Sequence, residues 1–412
     1  MAAQCRQDEQ GNCPRGKDDV VKPSAECRFP VTAYADELTA RQVRRIGSPE
    51  WRTHHQYFYF RMWTPDSRRV VLSSNRDDGV YRHYLVDVET GEAVCLTDAD
   101  GLATMFGELS PDGRRLMYAT DTELRVLDLG DFTERAVYSQ PPPWTARSVY
   151  YGATADHRRA VMVEMHADDA VPAGAGWETF EPQFAARPRC RLVELDVETS
   201  DARVIHEDRC WLGHPNYRPD GRTIMFCHEG PWELVDSRLW FIDPDGSNLR
   251  EGRRRDPSRP PGRGSGELWG HEYWLADSSR AAYVYFPRSY GQDATIRLLD
   301  PETLAEEVLM PVSSYSHFIS NADNSLIVAD GQAGLSEAIW LVDVAARSEA
   351  ILCRHGSSME PVVDPRTGRT NTQEVHPHPC FSPDSRRVIF SSDRDGFPAV
   401  YVTEIEDPAQ GE

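Results

Sequence analysis

Hydrophobic positions along this chain fall in short blocks of β-branched and aromatic residues, and the polar punctuation between the blocks repeats. A turn built on Asp is followed by one apolar block, then by a second that usually ends in Asp. The turns are TPDS at Asp66, SPDG at Asp112, TADH at Asp156, RPDG at Asp220, LADS at Asp277, NADN at Asp323 and SPDS at Asp384, seven in all. Pro before Asp presets φ for a tight β-turn, and Gly, Ser or Asn after it tolerates the backbone that closes the turn. RRVVLSS, RRLMYAT, RRAVMVEM, RTIMFCH, RAAYVYF, SLIVADG and RRVIFSS follow the turns. HYLVDV, LRVLDL, RLVELDV, RLWFIDP, IRLLDP, IWLVDV and VYVTEI follow those. All have strand length and none has a helical period.

Six copies run on into an outer strand, such as GEAVCLT, TERAVYS or ARVIHE, whereas the seventh stops at Ile405. The segment ELTARQVRRIGS, residues 37–48, has the composition of the missing strand and precedes the first copy. An all-β, seven-bladed β-propeller, its ring closed by an N-terminal strand that completes the last blade, uses every copy and leaves no open sheet edge. An open stack of sheets, or two smaller β domains, leaves the displaced strand unexplained. The expected organisation is a disordered polar extension over residues 1–30, one propeller domain over 31–407 and a tail over 408–412.

Composition narrows the function. The chain has 412 residues, 40% hydrophobic and 27% charged, and no apolar run approaching a membrane span, so no membrane partner is expected. A formal net charge of −21 argues against nucleic acid, whose phosphates are gripped by basic faces. An anionic substrate would need a locally positive pocket. The first thirty residues lack the apolar core of a secretory signal. Three of the nine cysteines (Cys5, Cys13, Cys27) lie there and none forms a CxxC pair, which points to reduced thiols in the cytoplasm.

The strand before each Asp turn is the innermost of a blade, so its residues are compared by counting back from the Asp. Six positions back stand Phe60, Phe106, Tyr150, His214, His271, His317 and His378. With 13 histidines in 412 residues, seven arbitrary positions would hold fewer than one, so four at a single register call for a reason. One buried histidine is usually bonded to backbone; several converging on one end of a channel suit a metal or an acid–base site. Alternation along a strand puts His376 on the face of His378, and His54 is a further candidate in the first blade. Gln373, Glu374, His376 and His378 lie within six residues, His317 is the natural third imidazole, and Mn, Fe, Ni, Cu or Zn would all fit. In CHEGPWELVDSRLW, Arg238 could clamp a carboxylate through two parallel hydrogen bonds or pair with Asp236. The Arg-, Pro- and Gly-rich run at 252–266 reads as a surface insertion, with shielding of an anionic substrate as the alternative.

The chain resembles the oligogalacturonate lyases, polysaccharide lyase family 22. The likeness runs from about Phe29 to Ile405 through HHQYFY, FGELSPDG, LGHPNYRPDG, CHEGPWELVDSRLW, HEYWLADSS, SHFISNADNSLIVADG and QEVHPHPCFSPD. It implies a cytoplasmic propeller that holds Mn²⁺, or another divalent metal, on His317, Gln373, His376 and His378. It implies His271 as the proton-abstracting base and Arg238 as the catalytic, substrate-binding arginine. The implied activity is β-elimination of short 4-linked galacturonate oligomers to 4,5-unsaturated products. His54, Tyr57, His214 and His228 are candidates for binding substrate, and which group protonates the leaving oxygen stays open. The N-terminal extension and the Arg/Pro insertion depart from the family pattern and leave chain-length preference open. A lyase for another uronate and a non-catalytic, TolB-like binding propeller are the competing readings; oligomeric state is not legible.

Overall fold

The seven Asp turns fold alike. In each, the Asp carboxylate accepts the backbone N–H two residues on, at 2.9–3.1 Å. The residue between is left-handed: Ser67 (φ 59°), Gly113 (68°), His157 (57°), Gly221 (72°), Ser278 (64°), Asn324 (60°) and Ser385 (58°). This is the backbone that the small polar residues of the repeat permit.

The computed structural model describes residues 23–145, 149–171, 179–259, 261–262, 266–331, 336–363, 370–371 and 373–405. Between the turns run seven antiparallel sheets arranged as a β-propeller, and a separate two-stranded hairpin, Val362–Val363 with Thr370–Asn371, stands apart from them. The second and third strands of every blade pair without a register shift, as Arg69–Ser74 does with Arg82–Asp87. Apolar side chains fill the spaces between neighbouring blades: Ile46, Val70, Leu72, Ile389, Val400 and Val402 pack into one cluster where the first blade meets the last.

Ring closure follows the expectation. Gln42–Ile46 pairs antiparallel with Ala399–Glu404, Val43 opposite Thr403 and Ile46 opposite Val400. Val31–Ala35 adds a fifth strand outside it, and Asp36 ties the hairpin to the sixth blade by accepting the N–H of Arg354 at 2.9 Å. One boundary is corrected. Glu26–Arg28, within the stretch expected to be disordered to residue 30, pairs with Glu92–Cys95 at the outer edge of the first blade. The reason is Phe29, whose ring is 1% exposed and packs edge-on to Tyr84 with centroids 5.3 Å apart; that burial orders the residues before it. Residues 1–22 and the tail 408–412 lie outside the described residues.

The third blade carries an unforeseen helix, Phe180–Ala185, between its second and third strands. Among the described residues no helix is long and apolar enough to cross a membrane.

Candidate active site

The innermost strands break the regular pattern, and that irregularity aims the site. In the fourth blade Gly213 pairs with Cys227 and Asn216 with Met225, so three steps on one strand face two on the other. The fifth blade repeats this between Gly270 and Tyr273, and the sixth between Tyr315 and Phe318. Each is a β-bulge, which re-aims a side chain, and the bulges contain His214, His271 and His317. His214 (φ 48°), His271 (56°) and His378 (45°) are left-handed, a conformation costing a non-glycine residue about 1–3 kcal/mol and kept where the surroundings enforce it. The glycine before the histidine is required in two blades. A Cβ on Gly213 would lie 2.5 Å from Cγ of Glu229, and one on Gly270 would overlap the Trp232 ring.

His317, His376 and His378 each offer a ring nitrogen, and the three atoms lie within 4.8 Å of one another. The Nε2 atoms of His317 and His378 are 3.2 Å apart, the mutual approach expected of two ligands facing one cation. Asp330, fully buried, accepts from His317 Nδ1 at 3.0 Å, which leaves Nε2 with its lone pair. The same carboxylate accepts the backbone N–H groups of His317 (2.6 Å) and His378 (3.1 Å), locking both ligands to one anchor. Burial pushes His376 down to about 4 and His378 well below its ordinary value, so both are neutral, as ligands must be. These residues fit a divalent cation. Gln373 lines the same cavity and accepts the N–H of His376 at 3.1 Å. That turn corrects the expected geometry: His376 joins His378 through a bend at 373–376, not by alternation along a strand, because the strand of the last blade begins only at Cys380.

His271 stands beside this group, its ring centroid 4.4 Å from that of His317 and 4.9 Å from that of Trp232. Burial, reinforced by His317 and the Arg238 charge, holds its pKa well below the ordinary imidazole value. It is a neutral imidazole, half-buried in the cavity wall.

Arg238 lines the cavity, but its fork is already engaged. Nη1 and Nη2 donate to the two oxygens of Glu229 at 2.9 and 3.2 Å, and Nε and Nη2 approach Glu272 at 3.4 and 3.3 Å. Pairing with Asp236 is replaced by these two buried carboxylates. An open two-pronged clamp is corrected to a braced cation: one Nη1 hydrogen remains for a ligand.

The cavity, about 1180 Å³, brings together His271, Arg238, His317, Gln373, His376, Tyr57 and His214. The Tyr57 ring bridges the group, 4.8 Å from His378 and 5.8 Å from His214. Two expected members lie elsewhere. His54 is fully buried behind Tyr81, its Nδ1 facing its neighbour's carbonyl at 3.1 Å. His228, at the end of its strand, stacks on Trp240 with centroids 4.7 Å apart. None of the described residues of the Arg/Pro insertion lines the cavity either. Arg255, at its start, reaches the carbonyls of Trp232 (2.7 Å) and Val235 (2.9 Å), bracing the turn that carries Trp232 against His271.

Sequence reading passed over Asp330, Glu272, Trp232 and Tyr290, whose Oη is 3.5 Å from His271 Nε2. The sequence carried a signal for the first of these and for the bulged turns. Asp330 is a lone acid inside the apolar strand SLIVADG, and the Gly-His pairs at 213–214 and 270–271 mark close backbone approach.

Comparison with known proteins places this geometry. The family model for oligogalacturonate lyase matches residues 24–409. The chain is 33% identical over 400 residues to an oligogalacturonide lyase of Pectobacterium atrosepticum, covering 92% of this chain and 98% of that one. It is 33% identical over 397 residues to an oligogalacturonate lyase of Dickeya dadantii, covering 92% and 97%. The solved structure of an oligogalacturonate lyase in complex with manganese superposes with a TM-score of 0.85 at 33% identity, covering 94% of this chain and 99% of that one. The chain therefore belongs to the oligogalacturonate lyase family.

Proposed function

We propose that this protein is a metal-dependent lyase that cleaves short 4-linked galacturonate oligomers by β-elimination, with Mn²⁺ on His317, Gln373, His376 and His378. The observation that carries the reading is a neutral, half-buried His271 packed against His317 of a three-imidazole cluster, with Arg238 lining the same cavity. A similar protein is known in complex with manganese, which supports the choice of metal. Cys95, Cys210, Cys227, Cys353 and Cys380 are free thiols, which supports the cytoplasm as its compartment.

In a 4-linked uronide the C5 proton is α to a carboxylate and weakly acidic, because removing it puts further negative charge on an anion. A divalent cation held by His317, Gln373, His376 and His378 would supply positive charge to stabilise that developing charge. Arg238, fixed by Glu229 and Glu272, adds a preorganised cation whose orientation needs no further ordering when charge develops. His271 takes the C5 proton as general base; its depressed pKa keeps it unprotonated at neutral pH. The electron pair forms the C4–C5 double bond and the C4–O4 bond breaks, leaving a 4,5-unsaturated sugar. Tyr57, wedged between His378 and His214, is placed to bear on the sugar ring.

The test is ultraviolet absorbance of unsaturated product from digalacturonate, with chelator and with Mn²⁺ restored. Loss and recovery are expected. Full activity in chelator removes the metal from the account, and a preference for another 4-linked uronate in a substrate panel replaces galacturonate.

A further inference from the structure

Elimination requires a proton at the oxygen leaving C4 as well as a base at C5, and His271 provides for C5 alone. The wall of the cavity built by the first, third and fourth blades carries a continuous polar chain that the steps above do not use. Tyr59 Oη lies 3.0 Å from Tyr150 Oη. Tyr150 is hydrogen-bonded in turn to Nδ1 of His214. His214 Nε2 is 3.1 Å from Oε1 of Glu229. All four side chains line the cavity that holds His271, His317 and His376.

Charge arithmetic gives this chain a direction. Glu229 and Glu272 are both buried and both pair with the single guanidinium of Arg238, so two negative charges face one positive charge. His214, with Nε2 3.1 Å from Glu229, stands where a further cation would balance the cluster, and uncompensated buried charge is what such sites avoid. The strained backbone of His214 (φ 48°) and the bare Gly213 beside it serve the contact with Glu229.

We propose that Tyr150 hands its hydroxyl proton to the departing O4 and is recharged from Nδ1 of His214, whose positive form Glu229 balances; the proposal rests on the lyase reading above. The step balances. The C5–H bond breaks and its proton goes to His271; the pair becomes the C4–C5 π bond; the C4–O4 pair stays on O4. O4 takes the Tyr150 proton as His214 Nδ1 gives its own to Tyr150 Oη, so no free tyrosinate accumulates. His271 then loses a proton to water and His214 regains one. Tyr290 does not fit this role: it shares the fifth blade with the base and donates to Ser316 at 3.2 Å.

The experiment compares two substrates in the full-length, Mn²⁺-loaded protein: digalacturonate, whose leaving oxygen needs a proton, and a 4-deoxy-4-fluoro galacturonide, from which fluoride departs without one. Tyr150→Phe keeps the ring contact with Phe106, 4.9 Å between centroids. It should lower kcat on digalacturonate roughly 10²–10⁴-fold, the range of a lost general acid, and leave the fluoride substrate within about threefold. Equal losses on both substrates, or no loss on digalacturonate, overturn the proposal. Wild-type protein gives a reading independent of the variant's folding. A D₂O effect on kcat is expected for digalacturonate and absent for the fluoride, and its absence for both contradicts the relay. A wild type that eliminates from neither substrate brings down the lyase reading itself, and the relay with it.

Discussion

The two halves of the ring use one register for opposite purposes. In the first three blades it holds Phe60, Phe106 and Tyr150, which pack ring against ring: Phe60 lies 5.7 Å from Phe106, and Phe106 lies 4.9 Å from Tyr150. In the last four it holds His214, His271, His317 and His378, three of them with left-handed backbone and all wrapped in polar partners or other imidazoles. Phe60 and Phe106 are packing, Tyr150 at the end of that half also reaches His214, and the other half carries strain that packing alone would not retain. Equivalent places in a repeat thus diverge in backbone as well as in residue type, and the strained places coincide with the chemistry.

Replacing His271 by Ala should break the comparison most severely. Turnover should fall roughly 10²–10⁴-fold, as for other lost general bases, while bound metal is unchanged. Kinetics with metal analysis decides, and a variant near wild-type rate removes His271 as the base. Asp330→Asn should act one step out. Losing a carboxylate that orients a ligand typically costs about 10–100-fold in metal affinity, so Mn²⁺ titration should show weaker binding; unchanged affinity would mean that the buried carboxylate is only structural. In the aromatic half Phe60→Ala should destabilise the fold by about 3–5 kcal/mol through the cavity it leaves. Denaturant unfolding checks it, and the refolded, metal-loaded protein should keep its Mn²⁺ affinity, because the imidazole cluster stands on other blades.

The smallest effect is in pH. His271 is held below its ordinary value near 6.5, and protonation removes the base. Activity conferred by the neutral form is therefore present above the depressed pKa and lost as pH falls through it. The acid limb of kcat/KM should lie below 6.5, and a limb at or above 6.5 contradicts the burial argument.

The seven blades were legible because the Asp turn is local chemistry, a carboxylate accepting the N–H two residues on, and repeats wherever the chain must reverse. The four-histidine register was legible for the same reason, since it is counted from that turn. What the sequence did not disclose is tertiary. His54 was assigned by its place in the first blade, but a three-residue innermost strand, Thr53–His55, turns it behind Tyr81. His228 ends a strand whose neighbours decide its face, and Trp240 claims it. Glu229 and Glu272 meet Arg238 across two blades, a pairing that no spacing along the chain encodes. The ordered strand at Glu26–Arg28 hid in a polar stretch because a single residue, Phe29, anchors it.

The central claim is that imidazoles from two blades share one divalent cation beside the base. Anomalous diffraction at the manganese edge from crystals grown with Mn²⁺ tests it most directly. The account predicts one strong peak bonded to ring nitrogens of His317, His376 and His378, next to an unliganded His271. A peak elsewhere, or one touching a single imidazole, would contradict it.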